Sequence, residues 1–228
     1  MSAVLDETRS AVAAASRRLA AEGLLIGTSG NVSVRVEGHV AVTATGADLS
    51  RVTPAEVTVV DLTGRVVAGD LEPTSEIDLH LGVYARHDAL AVVHTHAPAA
   101  TALSCVLDEL PCIHYQQLML GGTVRVAPYA TFGTPELATS VVEALTGRSA
   151  ALMANHGSVT TGASLDKAVE NALLLEWLCT VYRSANALGE PRVLDDEQQA
   201  AVVTAAIERK YGTTRKLGES PAEKKESR

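Results

Sequence analysis

Ala91-Val92-Val93-His94-Thr95-His96 is the stretch on which the reading of this chain turns. Its apolar start describes a buried strand entering a core. Side chains alternate faces along a strand, so His94 and His96 point one way and Thr95 the other. Two imidazoles on one face of a rigid element can reach a single metal ion. The structural alternative is two unrelated histidines at a strand end. A third ligand from elsewhere in the chain decides between them.

Working outward, His156 stands in Asn155-His156-Gly157, after the apolar strand expected at residues 150–154. Gly157 permits a tight backbone path beside it. Alone, His156 reads more simply as a strand-end histidine bonded to backbone. With His94 and His96 it completes three nitrogens with positions left for water or substrate, the pattern of a catalytic rather than a structural zinc. His39, His80, His87 and His114 stand in no comparable context, and His80 and His87 read as helix-surface residues.

Glu76 lies in the first turn of a helix expected from Pro73-Thr74-Ser75-Glu76 to residue 86. It is either charge compensation for the helix dipole or a carboxylate close to the metal, acting as general base or additional ligand. Thr74 and Ser75 offer hydroxyls and the helix N-terminus free amides, a combination that suits a phosphate. Gly27-Thr28-Ser29-Gly30-Asn31 and Thr45-Gly46 are further small-residue loops. The first lacks the lysine of a Walker loop and does not follow a strand, so it is no nucleotide fingerprint. Hydroxyl-rich loops beside a metal and a carboxylate point to a small phosphorylated substrate.

Around these landmarks the periodicity predicts helices over residues 5–22, 98–107, 134–145, 164–187 and 195–210, with strands at 31–36, 39–43, 57–62, 65–68, 124–126 and 158–161. A short helical turn is expected at Thr53-Pro54-Ala55-Glu56, which has the form of a capping box. The helix from Ser164 is apolar on most sides and belongs deep in the core or at a subunit interface. The chain has 228 residues, 46% of them hydrophobic, enough for one large domain. No apolar run approaches the ~20 residues of a membrane helix, and the N-terminus has no export-signal pattern. Three cysteines without C-x-x-C spacing read as reduced, buried thiols of a cytoplasmic protein. A net charge of −8 with scattered basic residues argues against a nucleic-acid surface.

Several blocks together resemble the class II aldolase/adducin family in order and spacing over nearly the whole chain. They are GTSGNVSV at 27–34, PTSE at 73–76, AVVHTH at 91–96, Ile113-His114-Tyr115 and APYATFGT at 127–134, followed by Asn155-His156-Gly157, the helix from Ser164 and Lys210-Tyr211-Gly212. The resemblance implies an α/β fold, a three-layer α/β/α sandwich with a central mixed, mainly antiparallel sheet. It also implies a homotetramer with active sites between subunits, while composition by itself predicts a single domain over residues 1–211 and a polar, disordered tail at 212–228. One zinc ion per subunit, or another divalent metal, would sit on His94, His96 and His156. The acid/base carboxylate falls on Glu76, and a tyrosine from a neighbouring subunit on Tyr115. Phosphate donors fall on Thr28, Asn31, Gly46, Thr74 and Ser75, and aldehyde-side residues on Phe132 and Tyr211.

The implied reaction is reversible cleavage of a ketose 1-phosphate, such as L-fuculose 1-phosphate, to dihydroxyacetone phosphate and a short aldehyde such as lactaldehyde. The metal would stabilise an enediolate, Tyr115 would take the C4 hydroxyl proton, and Glu76 would return a proton to the enediolate carbon. The chain departs from the family pattern at Thr74 in place of a serine, at Ala47-Asp48-Leu49 after the Thr45-Gly46 loop, and at Asn155 in place of a histidine. Alternatives are an L-ribulose-5-phosphate 4-epimerase, a salvage aldolase for 5-deoxypentulose phosphates, a decarboxylase of a phosphorylated sugar acid, or a non-enzymatic adducin-like module. The complete histidine set disfavours the module, and a zinc hydrolase lacks its H-E-x-x-H helix.

Overall fold

The computed structural model describes residues 3–212 and 214. Residues to Val193 form one compact unit and those from Leu194 a second. The first contains nine strands: β1 (Asn31–Val36), β2 (His39–Thr43), β3 (Val57–Asp61), β4 (Val66–Ala68), β5 (Ala91–Thr95), β6 (Glu109–Leu110), β7 (Val124–Ala127), β8 (Ala150–Met153) and β9 (Gly157–Gly162). Its helices are α1 (Ala3–Ala21), α2 (Ile77–Arg86), α3 (Pro98–Ser104), α4 (Pro135–Ala144) and α5 (Leu165–Leu188). The sheet runs β4-β3-β2-β1-β5-β9-β8-β7-β6. Its ladders are antiparallel except for the parallel pairing of β7 with β8.

β5 lies between β1 and β9, so all five of its residues are buried. Its alternation sorts the two cores. Ala91 and Val93 join a cluster with residues of α1, α3 and α5. Val92 joins another with residues of α2 and α4. Helices thus cover both faces, giving a three-layer α/β/α sandwich with a mixed, mainly antiparallel sheet. Directly opposed residues of antiparallel strands share a face. The pairing of Asn31 with His94 therefore turns both toward the α2 side.

Local chemistry accounts for most boundaries. Thr134 caps α4 by accepting from Leu137 N at 3.3 Å, with Pro135 at the first helical position. Ser164 does the same for α5 from Lys167 N. Glu56 closes its short turn by accepting from the Thr53 amide and hydroxyl, both at 2.9 Å. α3 ends at Ser104 rather than near residue 107. Cys105 N and Val106 N bond back to Ala102 O and Leu103 O, tightening the last turn to 3₁₀ geometry. The two-residue strand β6 and a 3₁₀ turn at Tyr115–Leu120 had no periodic signal.

The long helix α5 is less uniformly covered than its composition suggests. Ala168, Val169, Ala172, Leu175, Leu178 and Cys179 are buried, while Trp177 is 45% exposed. Of the three free cysteines, Cys112 and Cys179 are buried but Cys105 is exposed, correcting the expectation of three buried thiols. The second unit contains α6 (Asp196–Glu208), capped by Asp195, which accepts from Gln198 N at 2.8 Å. None of the residues of α6 is buried. Apart from 212 and 214, the tail expected to be disordered lies outside the described residues.

Candidate active site

His94 is completely buried in β5, His96 follows the strand, and His156 sits in the turn between β8 and β9. The three rings meet with centroids 4.8 to 5.0 Å apart. One ligand nitrogen from each lies within 4.8 Å of the others. His94 Nδ1 donates to Ser158 O at 2.9 Å; a carbonyl can only accept, so Nε2 is the nitrogen left facing the cluster. His94 Nε2 and His96 Nε2 are 3.0 Å apart.

Gly157 makes this meeting possible. A Cβ there would overlap the Thr95 carbonyl oxygen and stand 3.3 Å from His96 Cδ2. Only glycine lets β9 begin against the end of β5 and carry His156 inward. Asn155, at φ 55°, takes the left-handed conformation that completes the turn. Gly30 serves the loop before β1 in the same way, because a Cβ there would lie 2.8 Å from His94 O.

Glu76 is the residue immediately before α2, one step earlier than the first-turn position expected for it. It is buried, with Oε2 3.2 Å from His94 Nε2 and Oε1 3.6 Å from His156 Nε2. Burial alone pushes its pKa up. The His94 charge and hydrogen bond, the N–H donated by Asn31 and the His156 charge outweigh burial and hold the carboxyl well below the usual carboxylate range. Burial pushes His96 down to about 4, helped by its two histidine neighbours. Burial likewise lowers His156. His94 moves the other way, since Glu76 overcomes its burial.

Glu76 Oε1 is buried without a hydrogen-bond partner. Neutral imidazole lone pairs on His96 and His156, His94 Nε2 once a cation displaces its proton, and this carboxylate oxygen form a donor set that fits a divalent cation.

His96, His156 and Glu76 open on a cleft of about 560 Å³. Thr28, Ser29, Gly30, Asn31, Thr45, Gly46, Thr74 and Ser75 supply its polar wall, and Glu76, His96 and His156 line it. Tyr129 and Phe132, 65% and 66% exposed, also line it, from the loop before α4. The structure therefore brings together Thr28, Asn31, Gly46, Thr74, Ser75, Glu76, Phe132 and the metal-ligating candidates. Tyr115 is not among the described residues lining the cleft of its own chain, and Tyr211 belongs to the second unit. Ser29, Thr45 and Tyr129 were not singled out from sequence. The first two adjoin chosen residues in the same loops, and Tyr129 stands three residues before Phe132.

One reading is overturned. His80 is not on the helix surface but fully buried, bonded to Ser33 Oγ at 2.6 Å and Asn31 Oδ1 at 2.5 Å. α2 lays this side on the sheet, where β1 presents polar partners.

Fold and site together define an α/β/α protein with a cluster of three histidines that could hold a metal ion, beside a buried carboxylate. The description "Class II Aldolase and Adducin N-terminal domain" matches residues 10–183, and the chain belongs to this family. It is 35% identical over 198 residues to a 5-deoxy-D-ribulose 1-phosphate aldolase of Bacillus thuringiensis serovar kurstaki, covering 86% of this chain and 93% of that protein. It is 40% identical over 184 residues to the L-fuculose phosphate aldolase of Escherichia coli K12, covering 79% and 85%. A solved structure of L-fuculose 1-phosphate aldolase matches with a TM-score of 0.84 at 35% identity, over 90% of this chain and 97% of that one. The chain is accordingly a class II aldolase, a carbon–carbon lyase by class.

Proposed function

We propose that the protein is a zinc-dependent aldolase that reversibly cleaves a ketose 1-phosphate into dihydroxyacetone phosphate and a short aldehyde. The observation carrying this reading is the convergence of three imidazoles and Glu76 on a cleft otherwise walled by hydroxyls and small-residue loops. Bound to the three histidines, a divalent cation supplies Lewis acidity to the ketose carbonyl and the hydroxyl beside it.

The chain's own residues supply the rest. Thr74 Oγ1 accepts from Asn31 Nδ2 at 3.0 Å and Glu76 N at 3.3 Å, so its own proton is turned outward as a donor. With Ser75, Thr28 and Gly46 it forms the proposed phosphate side, where Asn31, its amide bonded to Thr74 and Glu76, holds Thr74 in place. Local donors of this kind suit an anion held against the protein's net charge of −8. In synthesis Glu76, held as the carboxylate, takes the proton from the carbon that forms the new bond, and in cleavage its protonated form returns a proton to that carbon. The C4 hydroxyl needs a base, a role that fits Tyr115 reaching a neighbouring copy's cleft in a homotetramer. Phe132 and Tyr211 are assigned to the aldehyde side, and the cytoplasm is the proposed setting.

Carbon counting separates two substrates. A six-carbon 6-deoxyketose phosphate leaves a three-carbon lactaldehyde. A five-carbon 5-deoxyketose phosphate leaves acetaldehyde, and the relative acting on such a sugar matches the larger share of this chain. The test uses protein purified without a histidine tag, loaded with zinc and offered both sugars and ribulose 5-phosphate. Triose phosphate with either aldehyde is the expected product. Xylulose 5-phosphate formed from ribulose 5-phosphate without triose phosphate would replace the reading with an epimerase. A site that takes up no metal would leave a binding module.

A further inference from the structure

Behind Glu76 and Asn31 runs a line of buried polar groups, Tyr84, Ser33 and His80, to which the proposed reaction gives no part. Tyr84 Oη lies 2.7 Å from Ser33 Oγ, and Ser33 Oγ lies 2.6 Å from His80 Nδ1. His80 Nε2 lies 2.5 Å from Asn31 Oδ1. Asn31 Nδ2 then reaches Glu76 Oε2 at 2.8 Å and Thr74 Oγ1 at 3.0 Å. All six residues are buried, Ser33 and His80 completely. A polar line of this length is costly in a core unless each member is paired.

The direction of every bond follows from one end. A carboxylate only accepts, so the Asn31 NH₂ must face Glu76 and the amide oxygen must face His80. His80 Nε2 therefore carries the ring proton. Burial pushes the His80 pKa down to about 3, with Glu76 raising it and His94 lowering it, so the ring is neutral and Nδ1 is an acceptor. Ser33 donates to it, and Tyr84 donates to Ser33. Both Asn31 N–H bonds are committed, one to Glu76 and one to Thr74.

We propose that His80 is a positioning residue for the reaction, donating to Asn31 Oδ1 and so holding the Asn31 amide in the one orientation that serves both Glu76 and Thr74. Without that donor the amide can rotate. Its oxygen would then face the carboxylate, and Glu76 would lose its neutral tether. The kinetic half of this inference rests on Glu76 being the proton-transfer group. Its structural half, the amide orientation, does not.

The test compares wild type, His80→Phe and His80→Gln as full-length, zinc-loaded proteins. Phenylalanine fills the volume without a donor, whereas glutamine restores an N–H toward Asn31. His80→Phe is expected to keep its zinc and lose about 10- to 100-fold in kcat, with KM changing less than about threefold. His80→Gln is expected to recover most of kcat. Asparagine-selective ¹⁵N labelling should show the Asn31 side-chain amide slow to exchange in wild type and His80→Gln and fast in His80→Phe. The proposal is overturned if His80→Phe keeps wild-type kcat and a protected amide, or if His80→Gln does no better than a folded His80→Phe. A wild type inactive on every ketose 1-phosphate defeats the preceding reading, while the amide measurement still decides whether His80 holds Asn31. Should His80→Phe not fold, Ser33→Ala removes His80's own anchor; its expected loss in kcat is about fivefold, and no loss overturns the proposal.

Discussion

At Glu76 the local forces oppose one another: burial favours the neutral acid, and His94, Asn31 and His156 favour the carboxylate and prevail. A carboxylate held charged in this way fits the proton transfer proposed for it, which helix capping alone would not require. Glu76→Gln is expected to retain zinc and lose about 10²- to 10⁴-fold in turnover, measured by metal analysis beside steady-state rates. If turnover survives, Glu76 only precedes the helix. His156→Ala should lose both zinc and activity while circular dichroism shows a folded chain, because a two-histidine remnant leaves the ion half-held. Gly157→Ala places a methyl against the Thr95 carbonyl and should destabilise by about 1–3 kcal/mol in urea unfolding. His94 and His96 were legible in one short string, whereas His156 and Glu76, each open to a structural reading alone, became legible only when the blocks were taken together. His80 was not legible. Its burial depends on Ser33 and Asn31, far off in sequence, and nothing within its own helix announces that β1 would set polar groups opposite it.

The elements carrying the site are held at their ends. Glu176 of α5 accepts from Ala99 N and Ala100 N at 2.9 and 2.8 Å, satisfying two first-turn amides of α3 directly after the His96 segment. Glu176→Ala leaves those amides without their partner and should cost about 1.5–3 kcal/mol, read from denaturant midpoints at constant m. Glu176→Gln, which keeps one acceptor oxygen, should lose less; an equal loss would argue that packing, not capping, is the cause. β1 and β2 occupy the spans their alternation predicts, because a period of two is written into the strand itself. β6, Glu109–Leu110, carries no such signature, since two residues cannot show a period.

Over the whole molecule, pH stability offers a check on the buried His80. The unfolded chain takes up a proton there below about 6.5, whereas the folded one does not until about 3. The contribution is therefore fully present above 6.5 and lost as pH falls from 6.5 toward 3, at a slope of at most about 1.4 kcal/mol per pH unit. Urea midpoints at pH 7 and pH 5, at equal metal load, should fall further in wild type than in His80→Gln. Equal falls would mean that His80 is already charged in the folded protein.

The amino-acid sequence alone determined most of the strands and helices, their caps, and the candidates for a metal or a phosphate, because periodicity, capping and turn chemistry act over a few neighbouring residues and the order of the blocks resembles a family. Tertiary structure decided that His94 and His156 meet, that Glu76 lies between them with one oxygen unpaired, and that Asn31 and His80 stand behind it. Those contacts join segments far apart in the chain. They exist only through strand register, the glycine at 157 and the laying of α2 on the sheet, none of which a local pattern can express.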